Sequence, residues 1–229
     1  MVLLLKLKAP FAAFRPLQAG TFRATAPTIS PTAAYGLLLN IAAIETRDWS
    51  KISKSATPML KNLPNVEIAI ANRIEPETAI LFQQLHNVPV GNVKPEQWER
   101  TQGCKPNIKP VRREILVDFE AVIAVRCEMD LRSRILAGLE GEYNGDRYGL
   151  PFAGDNNFLF DTIEVLPAVD PLPWYSRIAD DARPQRGVCR LTTWIDRAQS
   201  SQTVVETFAP TSKPTVEPPD GAWTMLPRP

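Results

Sequence analysis

The sequence predicts an α+β fold in which the elements follow as strand, helix, strand, strand, helix, strand. Three observations carry this. Apolar or alternating runs recur at residues 2–8, 65–71, 114–127 and 158–166, which is the period-two signal of strands. An apolar stretch at 30–45 opens on Ser30-Pro31, a capping serine followed by a proline suited to the first helical position. A shorter helical stretch at 130–139 stops at Gly141, as helices commonly do. The 229 residues are long enough to bury a core without disulfide or metal staples. With 44% hydrophobic and 22% charged residues the chain is not disordered as a whole.

In chain order, Val2–Lys8 is the first strand. It carries Lys6 and Lys8 after its apolar residues and stops at Pro10, so it is neither a secretory leader nor, at this length, a membrane span. Residues 10–31 hold four prolines and read as a long loop. The helix at 30–45 follows. Residues 51–62 read as a linker or a short helix, residues 65–71 as a strand, and residues 75–85 as either strand or helix. Residues 87–113 lose all periodicity around Pro89, Pro95, Pro106 and Pro110, and a stretch of this kind inside a domain is usually functional or disordered. The strand at 114–127, the helix at 130–139, a Gly-rich turn region at 144–157 and a strand at 158–166 complete a βαββαβ order. That is the ferredoxin-like arrangement with an insertion before its third strand. Beyond Pro167, residues 189–196 and 203–208 read as a hairpin and 210–229 as an extended tail. The expected division is therefore 1–166, with the insertion at about 82–115, and a C-terminal extension 167–229 packed on the same body.

The 26 Lys+Arg and 25 Asp+Glu leave a net charge of +1, which excludes a histone-like polycation. The balance is not local. Residues 1–44 lack any acidic side chain yet hold Lys6, Lys8, Arg15 and Arg23. Residues 100–113 also lack one and hold Arg100, Lys105, Lys109, Arg112 and Arg113. Either these are solvated faces with chance clustering or they meet a polyanion. The N-terminus of the 30–45 helix, with Ser30 and Thr32, is either an ordinary cap or a phosphate site.

Three cysteines and one histidine make a zinc site untenable, and the odd cysteine count reads as free thiols of a reducing compartment. No phosphate-binding glycine loop, zinc-protease helix or nucleophile elbow is present. His86 could act as a general base, stack on a base or cap a turn. Tyr35 and Tyr148 could be acid/base or stacking groups, and Tyr35 could equally be a core tyrosine. Residues 145–158 interleave three glycines with Arg147, Tyr148, Asn156 and Asn157. They form either a tight turn or a surface that grips phosphate and reads an exposed base. No catalytic constellation and no cofactor or metal site emerges.

Several of these segments resemble a known family. Residues 9–15 (APFAAFR), 20–23 (GTFR), 31–38 (PTAAYGLL), 85–91 (LHNVPVG), 110–114 (PVRRE) and 147–157 (RYGLPFAGDNN) look like the Cas-five family of CRISPR-associated RAMP proteins. They sit closest to its DevS-like branch in type I systems, and residues 192–197 and 221–223 fit that branch too. The resemblance implies an RRM-like fold with a β-hairpin thumb after the second strand. It implies a cytoplasmic subunit of Cascade that caps the crRNA 5′ handle, joins the backbone subunit to the large PAM-recognising subunit, and lies near target DNA. Such a complex serves defence or guides a transposon. Handle contacts would fall on Arg15, Arg23, Ser30, Thr32, Tyr35, His86, Asn87, Arg100, Lys105, Lys109, Arg112, Arg113, Arg147, Tyr148, Asn156 and Asn157. Val88, Val90 and Trp98 would serve thumb packing. Some type I-C relatives cleave pre-crRNA with a Tyr/Lys/His set that this sequence does not present. The expectation is therefore a non-catalytic RNA-binding subunit. The alternatives are a metal-independent endoribonuclease and an RRM-like protein of another pathway.

Overall fold

Leu3, Leu5, Leu7 and Ala9 alternate with Leu4, Lys6, Lys8 and Pro10, which gives one strand two unlike faces. In the computed structural model this segment is β1 (Leu3–Ala12), with Leu3, Leu5, Leu7 and Ala9 buried and the alternation broken at its end, where Phe11 is exposed and Ala12 buried. The structure describes residues 2–16, 22–51, 58–85, 109–142, 147, 149–179, 185–197, 199 and 202–228. β1 lies antiparallel between β5 (Lys109–Cys127) and β6 (Thr162–Leu166). On its other edge the C-terminal half of β5 pairs with β3 (Val66–Asn72), and its N-terminal half with β4 (Glu77–Leu85). A two-residue strand, β2 (Phe22–Arg23), runs parallel to Arg112 and Arg113 of β5. The sheet order is β10-β3-β5-β1-β6, with β10 (Thr224–Leu226) on the outer edge of β3. The chain is thus a mixed α+β protein built on antiparallel sheets with few helices.

Of residues 75–85, open between strand and helix in the sequence, Glu77–Leu85 are strand. β5 also begins earlier than the alternation at 114–127 indicates, because β4 supplies a hydrogen-bonding partner as far as Lys109. Pro110 is tolerated near the strand's end, where a missing N–H costs least. Between the β3 and β4 ladders, residues 73–76 face residues 118–120, four against three, as the pairs Asn72–Ala121 and Glu77–Val117 require. The extra residue lies on the 73–76 side, and opposite it Asp118 adopts φ of 53°, in the left-handed region. The last expected strand, 158–166, is shorter than its apolar pattern indicates. Phe158 turns back to the Asp155 carbonyl, and pairing with β1 starts at Thr162.

One face of the sheet carries α1 (Pro31–Ile41) and α2 (Met129–Glu140). Leu38, Leu39 and Ile135 meet Leu5, Ile68, Phe119 and Ile123 in the main core. The other face is lined by Ala69, Ala71, Val122 and Ala124, whose small side chains admit Trp174 and Trp223 from the C-terminal segment. Arg126 lies 3.9 Å over the Trp223 ring. A second sheet, in the order β7-β9-β8, joins Tyr175–Arg177, Cys189–Trp194 and Val204–Pro210 as β7, β8 and β9. Its Leu191 and Phe208 enter the main core. Residues before and after Pro167 therefore share both cores. Among the described residues no helix is long and apolar enough to cross a membrane.

α2 crosses the end of α1 at Gly138, where an added Cβ would lie 2.0 Å from the Ile41 carbonyl oxygen. Arg134 closes the same junction by donating to the carbonyls of Ala42 and Ala43, each at 3.2 Å. This places a cation at the negative end of α1. Gly138→Ala is expected to destabilise by about 1–3 kcal/mol in urea unfolding, although alanine gains about 1 kcal/mol of helix propensity. Unchanged stability would contradict the close crossing.

Candidate nucleic-acid interface

Arg23 and Arg113 face one another across the β2–β5 pair. Arg15 follows the end of β1, and the 153–157 turn rests on that same end through the Ala13 N–H donating to the Ala153 carbonyl at 3.0 Å. Gly154 allows this approach: its φ is 79° and a Cβ there would lie 2.4 Å from the Ala13 carbonyl oxygen. The glycine of the Gly-rich stretch thus seats the turn on its own strand.

The turn delivers Asp155 between the arginines. Its Oδ2 is ion-paired with the Arg113 guanidinium and with Arg15 NH2 at 3.1 Å. Its Oδ1 accepts from the Asn157 backbone N–H at 3.0 Å and side-chain Nδ2 at 2.8 Å. Arg113 is 3% and Asp155 9% exposed, so this pair is buried, whereas Arg15 is half-exposed. Burial would raise the Asp155 pKa. The Asn157 and Arg113 hydrogen bonds and the charges of Arg113 and Arg15 outweigh it and hold the carboxyl below its usual value. Arg23 sits in the same field. Its pKa is lowered by burial and by the charges of Arg15 and Arg113, and only Asp155 opposes them. Two guanidiniums are thus paired with one carboxylate and a third lies in their field, so the surplus is positive.

The cluster still lacks partners. Arg113 Nε is buried without a hydrogen bond. The Arg113 guanidinium lies 5.1 Å from the Phe158 ring centre, and Phe158 lies 6.1 Å from Phe11. Phe11 is 42% and Phe22 40% exposed. An arginine cluster with surplus charge, flanked by exposed aromatic rings, can hold phosphates and stack unpaired bases.

The structure brings together Arg15, Arg23, Arg113 and Asn157 from the expected contact residues. Asn156 is exposed on the same turn, and Arg112 is exposed beside buried Arg113 on β5. Four other residues are engaged inside the protein. Ser30 caps α1, accepting from the Ala33 N–H at 3.3 Å, and Thr32 donates to the Thr192 carbonyl of β8 at 2.9 Å. The helix start is thus capped by its own serine and tied to the second sheet. Tyr35 is buried with its hydroxyl on the Pro64 carbonyl at 2.8 Å, and burial pushes its pKa up to about 12. It sits in the core, as one reading of the sequence has it. Arg147 NH2 donates to the Gly138 carbonyl at 2.9 Å and braces the α1–α2 junction. Lys109 is placed by its backbone at the start of β5. His86, Asn87, Val88, Val90, Trp98, Arg100, Lys105 and Tyr148 lie outside the described residues. The sequence alone does not mark Asp155, Phe11, Phe22 or Phe158 as site residues. Its one signal is an aspartate among glycines and asparagines, far along the chain from an acid-free N-terminal segment.

Among the described residues no His/Cys/Asp/Glu group is placed to hold a metal ion. Cys127 and Cys189 are free thiols, and burial pushes Cys189 up to about 12.

The model of the CRISPR-associated protein (Cas_Cas5) family matches residues 2–141. The chain belongs to this family. The matched part of this Cas5 chain runs from β1 to the end of α2 and includes Arg15, Arg23 and Arg113, while Asp155 lies beyond it. A solved chain described as "CRISPR RNA-guided surveillance complex" has the same fold, with TM-score 0.59 and 16% identity. The match covers 97% of this chain and 96% of that one. A second solved chain, "Crystal structure of Cas protein", gives TM-score 0.46 and 12% identity over 96% of this chain and 100% of that one. No curated protein matches the chain.

Proposed function

We propose that this Cas5 chain is the non-catalytic RNA-binding subunit of a type I Cascade complex, seated on the 5′ handle of the crRNA in the cytoplasm. The observation that carries the reading is the Arg15–Arg23–Arg113 cluster, with its surplus charge and flanking Phe11 and Phe22. The handle is single-stranded, so phosphate clamps and stacking on exposed rings are the suited chemistry. The likeness to a chain of a crRNA-guided complex supports the same reading.

The β6-β1-β5-β3 order with α1 and α2 on one face supports the ferredoxin-like, RRM-like arrangement. The β4–β5 pair is then the root of a thumb inserted at about 82–115. β4 exposes Ile80, Leu81 and Phe82 in succession, Phe82 at 68%, and such a run suits burial against another protein. The thumb meets the neighbouring backbone subunit, and the body docks the large PAM-recognising subunit near target DNA.

The test is purification of the tagged chain with the products of its neighbouring genes, sequencing of the bound RNA, and incubation of the matching repeat RNA with this chain in EDTA. Recovered RNAs should share one 5′ segment, and the repeat should stay intact. Cleavage in EDTA that His86→Ala abolishes would make the chain the processing endoribonuclease. Absence of RNA from the purified assembly would overturn the reading.

A further inference from the structure

A cavity of about 740 Å³ opens where β3 gives way to β4. Its walls include the apolar side chains of Pro27, Pro76, Leu116, Pro173 and Pro210, and its exposed mouth is polar, with Arg73, Glu75, Thr78, Arg186 and Ser212. Each of the two arginines is paired with a carboxylate, Arg73 with Glu120 at 3.1 Å and Arg186 with Glu75 at 3.3 Å. The mouth therefore carries no surplus of positive charge, unlike the Arg15–Arg23–Arg113 cluster.

Two buried polar atoms of its lining lack partners. Asn72 is 7% exposed. Its Nδ2 donates to the Pro27 carbonyl at 2.9 Å and to the Tyr175 hydroxyl at 3.3 Å, while its Oδ1 is buried without a partner. Thr211 Oγ1 is also buried without one. A buried polar atom left unpaired is costly, so an occupant that brings a hydrogen-bond donor to Asn72 Oδ1 is favoured.

The cavity runs on into an exposed stripe. Thr78, Ile80 and Phe82 alternate along β4 and so share one face. Thr78 stands opposite Leu116 in the β4–β5 register, which makes this the cavity's face, whereas Arg113 stands opposite Leu81 on the other. Ile80 is 61% and Phe82 68% exposed. Opposite them are Glu114 and Arg112, one charge of each sign. An apolar stripe between balanced charges, leading into an apolar cavity, suits a polypeptide and not a polyanion.

We infer that the cavity receives one aromatic side chain of the protein that covers β4, a tyrosine or tryptophan whose O–H or N–H donates to Asn72 Oδ1. The flanking residues of that segment lie extended over Ile80 and Phe82. Tyrosine and tryptophan combine a flat apolar body, which the proline walls fit, with a donor at the tip. They are also the side chains that most often anchor a protein interface from within a pocket. The inference rests on the reading that the neighbouring backbone subunit meets the β4–β5 pair, and it names where that subunit is anchored.

The experiment places the photo-cross-linking residue benzoylphenylalanine at Ser212, on the cavity mouth, or at Ile80, on the stripe. The assembly purified on the tagged full chain with the products of its neighbouring genes is irradiated, and the adducts are sequenced. Both positions should label one peptide of the backbone subunit, and that peptide should hold a tyrosine or tryptophan. Its replacement by alanine should weaken association of the two proteins at least tenfold. Thr78→Trp, on the exposed strand at the cavity mouth, should do the same by filling the cavity, while the affinity of the chain for RNA of the shared 5′ segment stays unchanged. Labelling from Ile80 without labelling from Ser212, a labelled peptide that holds neither aromatic residue, or undiminished association in either variant would overturn the anchor and leave the covering of β4 standing. Adducts of Ser212 with RNA would give the cavity to the nucleic acid, and the inference would fail. An assembly that contains no backbone subunit would overturn the inference and the reading beneath it.

Discussion

Asp155→Ala is expected to lower the stability of the chain by about 3–5 kcal/mol in urea unfolding, the usual cost of leaving one member of a buried ion pair alone. Arg113 is 3% exposed and already has a buried Nε without a partner. With Asp155 gone it would keep its full charge in that setting, close to Arg15 and Arg23. Arg113→Met in the Asp155→Ala background should recover part of the loss, because two apolar groups strand no charge. A loss below about 1 kcal/mol for the single variant would mean that Asp155 is not what holds Arg113.

The same pair fixes a pH dependence. The folded-state pKa of Asp155 is depressed below the unfolded value, which is near 3.9. Its stabilisation is therefore fully present above the unfolded value and lost as the pH falls through the folded one. The stability difference between wild type and Asp155→Asn should be constant from about pH 5 upward and shrink on acidification below about pH 4. A difference that instead shrank above pH 6 would point to another group.

Removing Arg15 and Arg23 should have the largest effect on RNA affinity. Both are more accessible than buried Arg113, Arg15 half-exposed and Arg23 partly exposed on β2. Each charge-assisted phosphate interaction contributes about 1.5–3 kcal/mol, so the double alanine variant should bind at least a hundredfold more weakly. Its slope of log affinity against log salt should flatten by about 0.7 for each single-strand phosphate that no longer rests on an arginine. Ser30→Ala should leave that slope unchanged, because its side chain is spent on the α1 cap. Equal slopes for wild type and the double variant would remove Arg15 and Arg23 from the interface.

The sheet is legible in the sequence where burial imposes a clean pattern. β1 alternates because one face meets the helices, β3 is apolar along most of its length because both of its faces are buried, and the Ser30-Pro31 start of α1 is local chemistry. β4 is ambiguous because it is paired on β5 yet exposed along most of its length, so no apolar alternation is enforced. The early start of β5 is hidden by Pro110 and by the absence of burial on Arg112. Arg15 and Arg23 are legible as charges in an acid-free segment. Their relation to Arg113 and Asp155 is not, because the ion pairs join residues 42 to 140 positions apart and depend on β2 pairing in parallel with β5. Tyr35 and Arg147 pass for contact residues in the sequence because tyrosine and arginine serve cores and helix ends as readily as ligands. Only the Pro64 carbonyl and the Gly138 carbonyl distinguish the roles.

The central claim, that the Arg15–Arg23–Arg113 cluster with Phe11 and Phe22 lies against RNA, is tested most directly by ultraviolet cross-linking of the purified assembly and mass spectrometry of the peptide–nucleotide adducts. Adducts should form on the peptides carrying Phe11 and Phe22, all to nucleotides of the shared 5′ segment, and should disappear in the Arg15→Ala, Arg23→Ala variant. Adducts confined to the second sheet, residues 175–210, with none at Phe11 or Phe22, would contradict the account.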